Sequence, residues 1–300
     1  MHKKIRALLK MRNAILLAHN YQPPEIQDIA DLCGDSLELS RKASQTSAEV
    51  IVFCGVHFMA ETASILSPEK IVLLPRTDAG CPMADMVTAD ALANKIKEFS
   101  SSGKHVPVVT YVNSTAAVKA LSDICCTSAN VVRVVNSLEE NEILMVPDKN
   151  LARYAAMHTN KKIHFWDGYC PYHNLLTAGD VQKAREANPD AIFMAHPECP
   201  PEVLQVADVI ASTSGMLAYA SQSEQKEFIV GTEIGLIYPL KKYNPEKQFY
   251  PASLAMECRD MKKISLEDIV KSLETMTPQV KVPEDIRRPG LKAVERMMAL

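Results

Sequence analysis

Three of the eight cysteines in this 300-residue chain are evenly spaced: Cys81, Cys170 and Cys258 stand 89 and 88 residues apart. A thiolate is both a nucleophile and a soft metal ligand, so a regular interval between thiols raises the question of whether they meet. Seven residues after each comes a hydroxyl, at Thr88, Thr177 and Ser265, and each opens a helical pattern. Thr177 and Ser265 are followed by Asp180 and Asp268, the acid-in-first-turn signature of a helix start. Each cysteine therefore belongs to a loop between a strand and the next helix.

A second register has the same period. His19, Tyr111 and His196 end aliphatic runs, and seventeen residues after them stand Ser36, Ser128 and Thr213. Five residues before each hydroxyl lies an aspartate: Asp31, Asp123 or Asp208. His19, Tyr21, Tyr111, His196 and Glu198 all carry groups able to move protons. A hydroxyl at a helix start lies where N–H groups are unpaired and the dipole is positive, which favours phosphate or carboxylate. Taken singly, each hydroxyl reads as a helix N-cap and each histidine as a hydrogen-bonded structural residue. Their matched spacing is what marks them as a set. Neither G-x-G-x-x-G nor G-x-x-x-x-G-K-[ST] occurs, so those routes to nucleotide binding are set aside.

These groups need a scaffold. Short aliphatic runs such as Ala14–Ala18, Val50–Cys54, Glu142–Val146 and Ala191–Ala195 alternate with amphipathic segments of helix length, the pattern of an α/β protein with parallel sheets. The intervals predict three homologous three-layer αβα units at 1–85, 86–173 and 174–262. A helical tail, 263–300, is expected to pack back on the first unit. If the units pack around a pseudo-threefold axis with strand ends inward, all three sets of groups reach one central cavity, since open α/β sheets bind ligands outside their carboxyl strand ends.

Composition narrows the chemistry. The chain is 47% hydrophobic and 23% charged with a net charge of −3, which argues against a broad nucleic-acid surface. No run approaches the roughly 20 apolar residues of a membrane span, and no signal peptide is evident, so a cytoplasmic location is expected. Disulfides suit small secreted chains, and no C-x-x-C occurs. Cys33, Cys54, Cys125, Cys126 and Cys199 lack partners at the repeat interval and read as core. Three thiolates fall short of a four-ligand structural zinc site, and a catalytic zinc site usually includes histidine. They also suit an iron–sulfur cubane with one iron open to substrate, although the ferredoxin spacing is absent. Spacing alone leaves the metal unnamed.

Ala18-His19-Asn20-Tyr21-Gln22, Gly34-Asp35-Ser36-Leu37, Tyr111-Val112-Asn113-Ser114, Thr127-Ser128-Ala129-Asn130, Pro147-Asp148-Lys149-Asn150-Leu151 and His196-Pro197-Glu198-Cys199 together resemble the quinolinate synthase family over nearly the whole chain. The resemblance implies a triangle of three α/β domains around one 4Fe–4S cluster, held by Cys81, Cys170 and Cys258. It implies condensation of iminoaspartate with dihydroxyacetone phosphate to quinolinate, with loss of phosphate and water. In that reading Glu198, Tyr21 and His196 are catalytic. His19, Ser36, Tyr111, Asn113, Ser128, His196, Ser212 and Thr213 would bind substrate. An aspartate-oxidising enzyme, L-aspartate oxidase or dehydrogenase, would supply the short-lived iminoaspartate. Two departures from the family pattern stand at Tyr169 and Ser214, and no C-x-x-C-x-x-C surrounds Cys258. Two other readings of the same residues remain: a metal-free phosphosugar aldolase or isomerase, and a repeat-built anion-binding module.

Overall fold

A computed structural model describes residues 1–101, 103 and 105–300. Aliphatic runs form strands covered on both faces, as in Val50-Ile51-Val52-Phe53-Cys54, where all five residues are buried. The first sheet contains β1 (Ala14–His19), β2 (Leu32–Gly34), β3 (Val50–Cys54) and β4 (Ile71–Leu73). The second contains β5 (Val108–Tyr111), β6 (Ile124–Cys126), β7 (Glu142–Val146) and β8 (Lys162–Phe165). The third contains β9 (Ile192–Ala195), β10 (Val209–Ile210), β11 (Glu227–Gly231) and β12 (Gln248–Pro251). Their orders are β2-β1-β3-β4, β6-β5-β7-β8 and β10-β9-β11-β12, one topology repeated three times, with every strand pairing parallel. The architecture is thus three small α/β units. No helix among the described residues is long and apolar enough to cross a membrane.

β2 and β6 do not stand out in the sequence. Each is three residues long and carries cysteine rather than a β-branched run, so no period can register. The preceding aspartate fixes them. Asp31, Asp123 and Asp208 each accept a hydrogen bond at 2.8 Å from a backbone N–H fifteen residues earlier, at Leu16, Val108 and Phe193. Each aspartate N–H donates to the carbonyl of that same residue, at 2.8, 3.1 and 3.0 Å. The repeated aspartate is a clasp between central and edge strands.

A lysine clasp repeats as well. Lys70, Lys161 and Lys247 precede the outer strands, and each ammonium donates to two carbonyls just beyond or within the last turn of a helix: Thr46 and Ala48, Leu138 and Glu140, Ala220 and Ser223. Such placement satisfies helix-end acceptors and the helix dipole together.

Beyond the third sheet, the helix Leu266–Thr275 lies against the N-terminal helix His2–Met11. Residues 278–280 bond to the edge of β4 through Leu74 N–H to Pro278 O and Val280 N–H to Val72 O. The last helix, Glu284–Met298, crosses β6 and the helix Ala116–Lys119 of the second unit and touches the helix His57–Leu66 of the first. The tail therefore spans the first two units.

Candidate active site

The carboxyl ends of the three sheets open onto one cavity of about 750 Å³. Its walls include His19, Tyr21 and Ser36 from the first unit, Tyr111, Asn113 and Ser128 from the second, and His196, Glu198 and Thr213 from the third. Cys81, Cys170 and Cys258 line the same space. Of the residues assigned to catalysis, substrate or metal in the sequence, Ser212 stands behind the wall. It caps the helix Thr213–Gln222 by accepting from Gly215 N–H, and its hydroxyl donates to Asp35 at 3.3 Å.

The helix-start hydroxyls occupy different places from those expected. Asp35, not Ser36, caps the helix Ser36–Gln45, accepting from Leu37 and Glu38 N–H in a capping box. Ser212, not Thr213, caps the third, and Asn130 stands at the cap position of the helix Val131–Ser137. An acid and an amide take the cap position in the first two units, and in the third another hydroxyl does, so the caps lie one or two positions from the expected residues. Ser36 and Thr213 thereby become the first helical residues, and their hydroxyls are not used as caps.

His19 and His196 sit in the same turn of two different units. Tyr21 N–H donates to His19 Nδ1 at 3.2 Å, and Glu198 N–H donates to His196 Nδ1 at 3.3 Å. With Nδ1 accepting, the ring proton resides on Nε2. Burial drives both imidazoles down to about 3, so they are neutral near pH 7.

Glu198 is held at both carboxylate oxygens. Tyr111 Oη donates to its Oε1 at 2.5 Å, and His173 Nδ1 lies 2.8 Å from its Oε2. Burial alone would raise this carboxyl, but His173 and the Tyr111 hydroxyl bonded to it outweigh that and hold Glu198 below the usual carboxylate range. Burial, then the Glu198 charge, push the Tyr21 and Tyr111 phenols far up, so both stay protonated donors. A continuous chain runs from Tyr21 Oη to Thr232 Oγ1 at 2.6 Å, and from there to His173 Nε2 at 2.8 Å. His173 stacks on His196 with ring centroids 4.6 Å apart.

His173 and Thr232 escape the repeat logic because each occurs in one unit only. The residues three after Cys81 and Cys258 are Ala84 and Met261, so the C-x-x-H spacing Cys170–His173 has no counterparts. The spacing from a candidate ligand was the one available signal.

The cysteine loops are tied down alike. His57, Lys149 and Ile234 N–H donate to Ala79, Gly168 and Met256 O, in each case the carbonyl two residues before a cysteine. The second loop passes so close to Pro147 that a Cβ at position 168 would lie 2.4 Å from the Pro147 oxygen, hence Gly168. Burial pushes Cys81 and Cys258 up to about 12 and raises Cys170 well above the ordinary thiol value, so without metal all three are thiols. Cys170, His173 and Glu198 present ligand atoms within 4.8 Å of one another. The cavity wall carries three thiols, one from each unit, and no fourth cysteine. That donor set fits a thiolate-held metal group with an open position. Asn113 Oδ1 is buried in this wall with no hydrogen-bond partner among the described residues.

The two departures noted in the sequence fall outside this wall. Ser214 donates to Glu38 Oε2 and so joins the third unit to the first. The Lys149 ammonium stands 4.8 Å over the Tyr169 ring. Cys54, Cys125, Cys126 and Cys199 are fully buried, Cys33 is partly exposed, and all eight thiols are free.

A family model described as Quinolinate synthetase A protein matches residues 3–299. A quinolinate synthase of Geobacter metallireducens is 58% identical over 99% of this chain and 97% of its own length. That of Thermodesulfovibrio yellowstonii is 53% identical over 99% and 97%, and quinolinate synthase 1 of Methanosarcina acetivorans is 53% identical over the same shares.

Proposed function

This chain belongs to the Quinolinate synthetase A protein family, an enzyme family, and from that premise we propose that it condenses iminoaspartate with dihydroxyacetone phosphate to quinolinate, releasing one phosphate and two waters. The observation that carries the reading is the meeting of Cys81, Cys170 and Cys258 with Tyr21, His196 and Glu198 in one cavity. In this reading the three cysteines hold a 4Fe–4S cluster. Bound by three protein thiolates, the cluster supplies an open iron that acts as a Lewis acid toward substrate oxygen.

The chain's own groups divide the remaining work. Hydroxyls of Ser36, Ser128 and Thr213, at or near three helix starts, receive phosphate and carboxylate oxygens. Asp35 already takes two N–H donors of the first helix, which leaves the Ser36 hydroxyl as that helix's contribution. Neutral His19 and His196 direct Nε2–H donors at substrate oxygens, and the Asn113 amide adds a further polar contact. Glu198, ionised and buried, is the general base; Tyr111 holds it in place. Tyr21, protonated and joined to Glu198 through Thr232 and His173, is the group that returns a proton to a departing or rearranging oxygen. Eight free thiols and no disulfide suit a reducing cytoplasm, where an aspartate-oxidising enzyme would supply iminoaspartate.

The test is an anaerobic assay of the iron–sulfide-reconstituted protein, with iminoaspartate generated in place and dihydroxyacetone phosphate added. Quinolinate and phosphate should form together in equal amounts. Turnover of phosphosugar without quinolinate would favour a metal-free aldolase or isomerase and overturn the proposal.

A further inference from the structure

Val56, Asp148 and Glu233 stand at equivalent places in the three units. Each directly precedes the residue whose N–H fixes a cysteine loop. In the second unit Asp148 is 2% exposed; its Oδ1 accepts from Asn150 and Leu151 N–H at 2.8 and 2.9 Å, and its Oδ2 accepts from Cys170 N–H at 3.1 Å. In the third unit Glu233 is 1% exposed; its Oε2 accepts from Gly235 N–H at 2.7 Å, and its Oε1 accepts from Cys258 N–H at 3.1 Å and pairs with Lys262 at 2.9 Å. Lys262 in turn donates to the Tyr21 carbonyl, which joins this loop to the first unit. Two buried carboxylates of different length thus do the same thing: one oxygen caps a helical turn and the other grips the main chain of a cysteine.

We propose that Asp148 and Glu233 are positioning residues that hold Cys170 and Cys258 in ligating position ahead of the metal group, an inference that rests on the cluster reading above. Capping alone would need one oxygen. The second oxygen of each buried carboxyl group goes to the cysteine N–H, an acceptor that a one-oxygen cap does not supply. A ligand loop ordered before binding spares the metal site the cost of ordering it. The Val56 side chain offers no acceptor in the first unit, and among the described residues no carboxylate is seen to accept from Cys81 N–H. The Cys81 loop is fixed through main-chain bonds, so the three ligands are held unequally. An amide in place of either carboxylate keeps one oxygen for the cap and turns an N–H₂ toward the cysteine N–H.

The experiment compares the wild type with Asp148→Asn, Glu233→Gln and a control, Asp123→Ala, which removes a strand clasp outside the cavity wall. All are reconstituted anaerobically with iron and sulfide, and iron release to excess chelator is followed. Circular dichroism of the metal-free forms reports folding, and electron paramagnetic resonance of the reduced forms reports the cluster. Asp148→Asn and Glu233→Gln should lose iron about 10–100-fold faster than the wild type and show an altered resonance spectrum. Asp123→Ala should be less stable yet keep the wild-type spectrum and release rate. Wild-type release from folded Asp148→Asn and Glu233→Gln overturns the inference, as does equally fast release from Asp123→Ala. Should one amide variant fail to fold, the other decides. A wild type that takes up no iron overturns the cluster reading and this inference with it; an iron-loaded wild type beside unaffected variants overturns the inference alone.

Discussion

The Tyr111 hydroxyl donates to Glu198 Oε1 at 2.5 Å, across the boundary between the second and third units. The phenol ends β5 and the carboxylate lies three residues beyond β9, so neither unit alone forms the pair. Both groups are buried, and the bond fixes one carboxylate oxygen while His173 fixes the other. A carboxylate held on both sides keeps its orientation without solvent.

Glu198→Gln preserves the shape of this pair and removes the proposed base. Quinolinate formation should fall about 10²–10⁴-fold, with iron content unchanged. Tyr21→Phe should lower turnover in the same way, because it deletes the hydroxyl bonded to Thr232. Steady-state rates set beside iron analysis check both, and normal turnover in either variant would remove that residue from the chemistry.

Ser36 is the first residue of its helix and is free of capping duty. Ser36→Ala should raise KM for dihydroxyacetone phosphate about tenfold, the worth of one hydrogen bond to a charged group, with little change in kcat. A KM unchanged within twofold would mean that phosphate binds elsewhere.

His19 carries a pH signature. Burial, followed by the Lys262 charge, lowers its pKa from 6.5 to about 3 in the folded chain. Between those values the unfolded chain binds the extra proton, so stability rises with pH across this window and is complete above 6.5. Acidification from pH 6.5 to 5 should cost about 2 kcal/mol at this residue. Chemical denaturation of the metal-free protein at both pH values, wild type against His19→Gln, measures the difference; equal slopes would refute it.

Asp123 accepts from Val108 N–H at 2.8 Å and lies away from the cavity wall. Asp123→Ala should destabilise the chain by about 1–3 kcal/mol and leave kcat intact. A fall in kcat at undiminished stability would contradict its role as a strand clasp.

Much of this was legible in the sequence because the chain repeats itself. The interval between Cys81, Cys170 and Cys258 survives because each loop must reach the same point from an equivalent sheet. The aspartates recur because each central strand needs the same clasp. Features that break the symmetry were hidden: His173 and Thr232 belong to single units, and a reading by matched positions passes over them. β2 and β6 are too short to show a period, and their presence follows from Asp31 and Asp123 rather than from β propensity. The helix starts were found but the caps misassigned by one or two residues, since Ser36 and Thr213 each follow a residue, Asp35 or Ser212, equally able to cap.

The claim that one cysteine from each unit holds a single cluster is tested most directly by metal analysis of anaerobically purified protein and its three single Cys→Ser variants. The account predicts about four iron and four sulfide per chain in the wild type and loss of the intact cluster in Cys81→Ser, Cys170→Ser and Cys258→Ser alike. A colourless wild type that forms quinolinate at full rate, or a variant of any one of these cysteines that keeps the whole cluster, would contradict it.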